Sequence, residues 1–265
     1  MALPRSLLLV VGDELLGGFT VDRNGPLALR LLHEAGYPAR RLEIVSDSVD
    51  DIAAAVRRGI DDPSIARIIV CGGIGPTPDD RTHEAVARAL GRDLVEHPEA
   101  LRHVRELVAR MHAAGWVASP EPSPANRRMA RMAAGGQVLT NRRGMAPPLA
   151  VRLDGDGAER WLFVLPGVPR EFEAILEEEL IPEFFTGSRP LTVIEQQHPG
   201  AVEADFAEPL RQLEIEFPDV AAGSYPQQQR PEPLLVIRLR GEDPDQVAAA
   251  AARLTALREE AQETG

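Results

Sequence analysis

The stretch Ile68-Ile69-Val70-Cys71-Gly72-Gly73-Ile74-Gly75-Pro76-Thr77-Pro78-Asp79-Asp80-Arg81-Thr82 runs an apolar segment into three glycines, then two carboxylates, then a helix start. An apolar run this short, bounded by glycine, reads as a strand buried on both faces. Glycines let backbone amides approach an anion closely, and a helix N-terminus adds donors and a favourable dipole. Two carboxylates beside a phosphate repel it unless a cation lies between. Asp79 and Asp80 therefore read either as Mg²⁺-type ligands or as caps of the helix that Arg81 opens. The spacing is neither that of the phosphate loop ending in Gly-Lys-Ser/Thr nor that of the dinucleotide fingerprint.

The same alternation extends outward. Residues 7–11, 41–45, 66–71 and 161–165 read as buried strands, and 24–35, 49–60 and 81–90 carry the apolar spacing of helices. Strand–helix alternation implies right-handed crossovers and a mostly parallel α/β sheet covered on both faces. Ligands of such sheets sit beyond the carboxyl ends of the strands, which is where the unusual sequences fall. A long helix is expected over 98–114, ended by the turn Ser119-Pro120-Glu121-Pro122-Ser123-Pro124. Residues 125–149 hold Arg127, Arg128, Arg131, Arg142 and Arg143 among small residues, and suit either a loop folded over a ligand or an exposed basic loop. After Phe185 the character changes. Thr186-Gly187-Ser188-Arg189-Pro190 resembles a linker, followed by a strand (191–196), helix (202–213), strand (220–225), polar excursion (226–233), strand (234–240) and helix (244–260). Two domains are expected, 1–185 and a smaller α+β unit at 186–265.

Composition bounds the function. The 265 residues are 44% hydrophobic and 26% charged, ordinary for a globular chain. A formal net charge of −12 argues against non-specific nucleic-acid binding. It leaves room for an anionic small molecule held by local amides, arginines or a metal. The glutamates of 171–183 read as a solvated helix face. No apolar run approaches the roughly 20 residues of a membrane helix. The start at residues 1–11 is too short and badly flanked to be expected as a signal peptide, reading better as a buried first strand. No membrane association is expected, and a cytoplasmic location is. The single Cys71 excludes an intrachain disulfide framework and a cysteine-based zinc cluster. No nucleophile elbow appears, and with His83 the only histidine near these motifs, Cys/His catalysis is not expected.

Three further segments follow strands. Gly12-Asp13-Glu14-Leu15-Leu16-Gly17, with Asp22 and Asn24, places Asp13 and Glu14 to face a metal or a ligand hydroxyl, and Asn24 to do either or to cap its helix. Asp47, in Ile44-Val45-Ser46-Asp47, is an N-cap of the next helix or a carboxylate turned to the same crevice. Leu165-Pro166-Gly167-Val168-Pro169-Arg170-Glu171 is strand, rigid turn and helix, with Pro169 suited to the first helical turn and the Pro-Gly turn exposing amides or serving structure alone.

Taken together these segments, with Asn126-Arg127-Arg128-Met129-Ala130 between them, resemble the molybdopterin-binding domain family in its CinA-like (competence/damage-inducible protein A) branch. The resemblance spans about residues 5–185, and Gly223-Ser224-Tyr225-Pro226 is similar to the small domain that follows in CinA-like proteins. It implies a three-layer α/β/α domain, a ligand-binding set of Gly12, Glu14, Asn24, Gly72, Gly73, Gly75, Thr77, Pro166 and Gly167, and a divalent metal (Mg²⁺, Mn²⁺ or Co²⁺) on Asp13, Asp79 and Asp80. Two aspartates important to catalysis in the related molybdopterin adenylyltransferases match Asp47 and Asp80. CinA-like domains are associated with ADP-ribose pyrophosphatase activity, and related domains fused to FAD synthases with FAD hydrolysis. The implied activity is pyrophosphate hydrolysis of ADP-ribose or a related dinucleotide. The alternatives are a non-catalytic molybdopterin or nucleotide module and an adenylyltransferase. Partners are then a small nucleotide or pterin, and further copies of the chain as a dimer or trimer. Where the family reads Asn-x-x-Gly-Thr-Ala-Pro-Gly, this chain has Asn141-Arg142-Arg143-Gly144-Met145-Ala146-Pro147-Pro148, a change expected to reshape a ligand wall. Deamidation, the activity of a separate C-terminal domain in full-length CinA proteins, is not expected.

Overall fold

The structure, a computed structural model, describes residues 4–153, 159–227 and 233–263, with side chains to residue 260. The chain divides into two compact units, Met1–Ser188 and Arg189–Gly265.

In the first unit the strands are β1 (Arg5–Val11), β2 (Ala39–Val45), β3 (Ile65–Cys71), β4 (Leu94–Glu96), β5 (Arg131–Ala133), β6 (Gln137–Val138), β7 (Leu149–Leu153) and β8 (Arg160–Leu165). The helices are α1 (Asp13–Leu16), α2 (Asn24–Glu34), α3 (Val49–Asp61), α4 (Thr82–Leu90), α5 (Pro98–Ala113), α6 (Pro124–Arg128), α7 (Pro169–Ile175) and α8 (Ile181–Phe184). A π-helical turn, Leu176–Leu180, joins α7 to α8 just ahead of Pro182, which has no N–H to donate within a regular α-helix. The main sheet has the order β2-β1-β3-β8-β7-β6. β2, β1, β3 and β8 are parallel, whereas β7 runs antiparallel to β8, and β6 antiparallel to β7. The remaining pair, β4 and β5, forms a separate antiparallel ribbon.

Strand periodicity builds the layers. Leu7, Leu9 and Val11 of β1 and Ile68 and Val70 of β3 enter one core, under α3, α4 and α5. Their neighbours Leu8, Val10, Ile69 and Cys71 enter the other, under α2 and α7. Successive side chains point to opposite faces, so a sheet covered on both sides needs apolar residues at every position. The segment 125–149 contains α6, β5 and β6 rather than one continuous loop.

Opposite the carboxyl ends of the strands, Arg160 gathers loose carbonyls. Its guanidinium donates to the carbonyl oxygens of Gly59 (3.1 Å), Ile60 (2.9 Å), Asp62 (3.0 Å) and Ile65 (2.7 Å). Two of these belong to the last turn of α3, where carbonyls lack helical partners and a cation meets the negative end of the dipole. Arg160→Met is expected to lower stability by about 2 kcal/mol. Urea unfolding followed by circular dichroism checks this, and an unchanged midpoint would contradict the assigned role.

The second unit is an antiparallel sheet of order β10-β11-β9, built from β9 (Thr192–Pro199), β10 (Ala221–Gln227) and β11 (Leu234–Gly241). A 3₁₀ turn (Glu203–Phe206), α9 (Ala207–Glu216) and α10 (Pro244–Glu263) accompany it. Its core joins Phe206 and Leu213 to Leu235, Ile237, Leu239 and Leu254. Of the polar excursion expected at 226–233, residues 228–232 lie outside the described residues.

Candidate functional site

The carboxyl ends of β1, β2, β3 and β8 bring four loops to one edge. At their centre Gly72 has φ +103°, where a side chain is strained. Its N–H donates to the Leu165 carbonyl (3.0 Å), and a Cβ there would lie 2.5 Å from the Val11 carbonyl oxygen. A Cβ on Gly167 would lie 3.2 Å from the Gly72 Cα, so the β8 turn presses directly on this loop. Thr82, the first residue of α4, donates from its N–H to the Gly73 carbonyl (3.0 Å) and from its hydroxyl to the Gly72 carbonyl (2.7 Å). Two of the three glycines are thereby tied to the start of α4.

Neither Asp79 nor Asp80 caps that helix, whose N-cap, Arg81, makes no side-chain cap bond. Asp80 instead accepts from the Thr77 N–H (2.9 Å) and the Thr77 hydroxyl, and its carboxylate closes over Gly75. Asp79 is exposed, and the nearby Thr77 hydroxyl, with weaker help from Arg81 and Arg128, holds its carboxyl below the usual range.

Asp13 and Asp47 brace one another. The Asp13 N–H donates to Asp47 Oδ2 (2.9 Å), and the Asp47 N–H to Asp13 Oδ1 (3.4 Å). The N-cap of α3 is Ser48, which accepts from the Asp51 N–H, so Asp47 is free of the capping role and engages Asp13. Burial pushes the Asp47 carboxyl up. The Asp13 N–H opposes this, while the carboxylates of Asp13, Glu14 and Asp79 reinforce it. Among the described residues, no three His, Cys, Asp or Glu side chains gather closely enough to coordinate one ion. Asp13, Asp79 and Asp80 are thus not brought together as a set. The oxygen donors present fit an ion of Mg²⁺ type that takes one or two carboxylates and completes its shell with water and substrate phosphate.

Asn24 does not cap α2. Asp22 does, accepting from the N–H groups of Asn24 (2.9 Å) and Gly25 (3.0 Å). The buried Asn24 amide instead reaches across the sheet edge, donating to Cys71 Sγ (3.1 Å) and to the Gly167 carbonyl (2.8 Å). Its Oδ1 is buried without a partner among the described residues. Asn24 lines a cavity of about 300 Å³ together with Glu14, Val21, Cys71, Gly167 and Pro169. Burial pushes the Cys71 thiol up to about 12, so it stays protonated and is no nucleophile.

Glu171 departs from the solvated face expected for its helix. It is buried and accepts from the Asn141 side-chain amide (2.8 Å), which also donates to the Ala146 carbonyl (2.9 Å). Residues 145–148 line neither the Asn24 cavity nor a smaller one at Asp80, so the altered family motif is not a wall of either. Of the five arginines in 125–149, Arg127, Arg142 and Arg143 pair with Glu96, Glu179 and Glu178.

His83, behind Asp80 on α4, is buried, with both ring nitrogens unpartnered among the described residues. Burial pushes its imidazole down from 6.5 to about 4. The unfolded chain therefore takes up this proton below pH 6.5 while the fold refuses it until about 4. This contribution is full above the upper value and is lost as pH falls toward the lower one, by about 3 kcal/mol in total. Urea midpoints at pH 7.5 and 4.5 measure it, and His83→Leu is expected to flatten that part of the profile.

Residues 7–186 match the family described as "Probable molybdopterin binding domain". The chain belongs to the molybdopterin-binding domain family. Within it the chain is CinA-like. A CinA-like protein of Citrifermentans bemidjiense is 39% identical over 179 residues, which is 68% of this chain and 40% of that longer protein. The crystal structure of the protein CinA from Thermoplasma acidophilum, titled as of unknown function, is similar at 30% identity and a TM-score of 0.58, over 68% of this chain and 98% of that one. A protein of Pyrobaculum calidifontis is 34% identical over 259 residues, 97% of this chain and 94% of its own length. Residues 196–263 of this CinA-like chain match the FAD synthase middle domain. No helix among the described residues is long and apolar enough to cross a membrane.

Proposed function

We propose that this CinA-like chain is a divalent-metal-dependent pyrophosphatase of ADP-ribose or a related dinucleotide. One observation carries the reading. A cavity of about 300 Å³ is walled by Glu14, Asn24, Cys71 and Gly167, of which Glu14 follows Asp13 and Cys71 precedes Gly72 in the chain, and the Asn24 Oδ1 is buried without a partner among the described residues. Asn24 commits its amide hydrogens to Cys71 and Gly167, so the group left over accepts and does not donate. Adenine and pterin both offer an exocyclic amine to such an acceptor. The base sits there, and the pyrophosphate lies against the loop of Gly72, Gly73 and Gly75.

In the reaction a water oxygen adds to one phosphorus, the bridging P–O bond breaks, and the bridging oxygen leaves on the other phosphate. Asp47 orients that water and takes its proton, a task suited to a carboxylate whose proton affinity burial has raised. Asp80 and Asp79 would hold the ion, which when bound polarises a phosphoryl oxygen. For ADP-ribose the products are AMP and ribose 5-phosphate. AMP release from ADP-ribose and from FAD, assayed with Mg²⁺, Mn²⁺ and Co²⁺ in turn, tests the reading. No release with any of them overturns it.

A further inference from the structure

A second cavity, of about 60 Å³, lies on the α4 side of the Gly75–Asp80 turn. Its walls include Asp80, His83, Glu84, Arg128 and Arg131. His83 is 7% exposed, and its two ring nitrogens have no partner among the described residues. A buried polar atom without a partner is costly and rare, so two in one ring mark a place built for something that bonds to them. The arginines agree. Arg127, Arg142 and Arg143 neighbour them in sequence and are spent on glutamates, whereas Arg128 and Arg131 form no ion pair among the described residues. Arg128 leaves the end of α6 and Arg131 begins β5, so the short break between these elements sets two guanidinium groups around one cavity.

We propose that Arg128, Arg131 and His83 form an oxyanion subsite beside Asp80 that takes a phosphate group of the ligand. The two guanidinium groups face the carboxylates of Asp80 and Glu84 across the cavity, with Asp79 acting on Arg128 from the adjoining turn, and they supply the charged donors that would hold an entering anion. The neutral His83 ring donates its one N–H to a phosphate oxygen and accepts from a protonated oxygen or a water. A ligand then straddles the Gly72–Asp80 loop, its base on the Asn24 side and its distal phosphate on the His83 side. This division of the ligand rests on the pyrophosphatase reading, whereas the anion subsite can be measured without it.

The probe is inorganic pyrophosphate, titrated into the whole chain and followed by calorimetry and by ¹⁵N-histidine NMR. Binding is expected, with the His83 resonances, assigned by their loss in His83→Leu, shifting on saturation. The double variant Arg128→Gln/Arg131→Gln changes two exposed side chains, so its melting temperature should hold while its affinity falls about tenfold or more. His83→Leu removes the unpartnered nitrogens, so it should melt no lower than wild type near neutral pH and still bind about tenfold more weakly. A merely structural histidine would lower the melting temperature and leave binding alone. The subsite is overturned if wild type binds no pyrophosphate, if the double variant binds as tightly, or if the His83 signals stay in place. Arginine-dependent pyrophosphate binding with no AMP released from ADP-ribose upholds the subsite and removes the pyrophosphatase reading.

Discussion

Gly72→Ala is expected to remove about 4 kcal/mol of stability, a large share of the roughly 5–15 kcal/mol that a domain holds. Two costs add. A φ of +103° strains any residue with a Cβ, at about 1–3 kcal/mol. The new methyl would then sit 2.5 Å from the Val11 carbonyl oxygen, a backbone atom of the central strand that has no rotamer to retreat into. Relief requires β1 and β3 to part at their carboxyl ends, which disturbs the Gly72–Leu165 hydrogen bond on the other side. Guanidinium unfolding of wild type and variant gives the difference directly. A loss below about 1 kcal/mol would show that the loop yields more easily than its contacts imply.

Asp80→Asn is expected to leave the fold in place and lower kcat for AMP release by about 10²–10³-fold, or about 2.7–4 kcal/mol of barrier. Asparagine can still accept from the Thr77 N–H through its amide oxygen, so the turn survives. On the proposed reading, what disappears is the negative charge that would face the ion and the reacting phosphate. Thr77→Val keeps the Asp80 carboxylate and removes only the hydroxyl that bonds to it, so its loss of kcat should be clearly smaller than that of Asp80→Asn. Asp80→Asn within about threefold of wild type would move Asp80 out of the chemistry and leave it a loop residue.

The sheet was legible because β1, β3 and β8 are covered on both faces, and such strands advertise themselves as unbroken apolar runs. β4, β5 and β6 were not, for the opposite reason. Two or three residues are too few to express a period, and their pairing is decided by partners far along the chain. The site divides in the same way. The glycines and carboxylates stood out by type and by their place after strands. Their roles did not, because several depend on contacts invisible to local spacing. Asn24 reaches Cys71, 47 residues away, and Gly167, 143 away, while its helix is capped by Asp22. Either Ser48 or Asp47 had the chemistry to cap α3, and only the backbone geometry chose Ser48. Arg128 and Arg131 differ from Arg127, Arg142 and Arg143 in forming no ion pair among the described residues, a fact no window of sequence contains.

The contact between Asn24 and Cys71 has a practical corollary. The only thiol in the chain lies under the side chain that walls the larger cavity, protonated and wholly enclosed. A thiol reagent reaches it only during those moments when the Asn24 amide lets go and the sheet edge parts. The rate of alkylation is then a clock for the breathing of the pocket floor. A molecule seated against Asn24 should slow that clock in proportion to its occupancy, whether or not it is ever turned over.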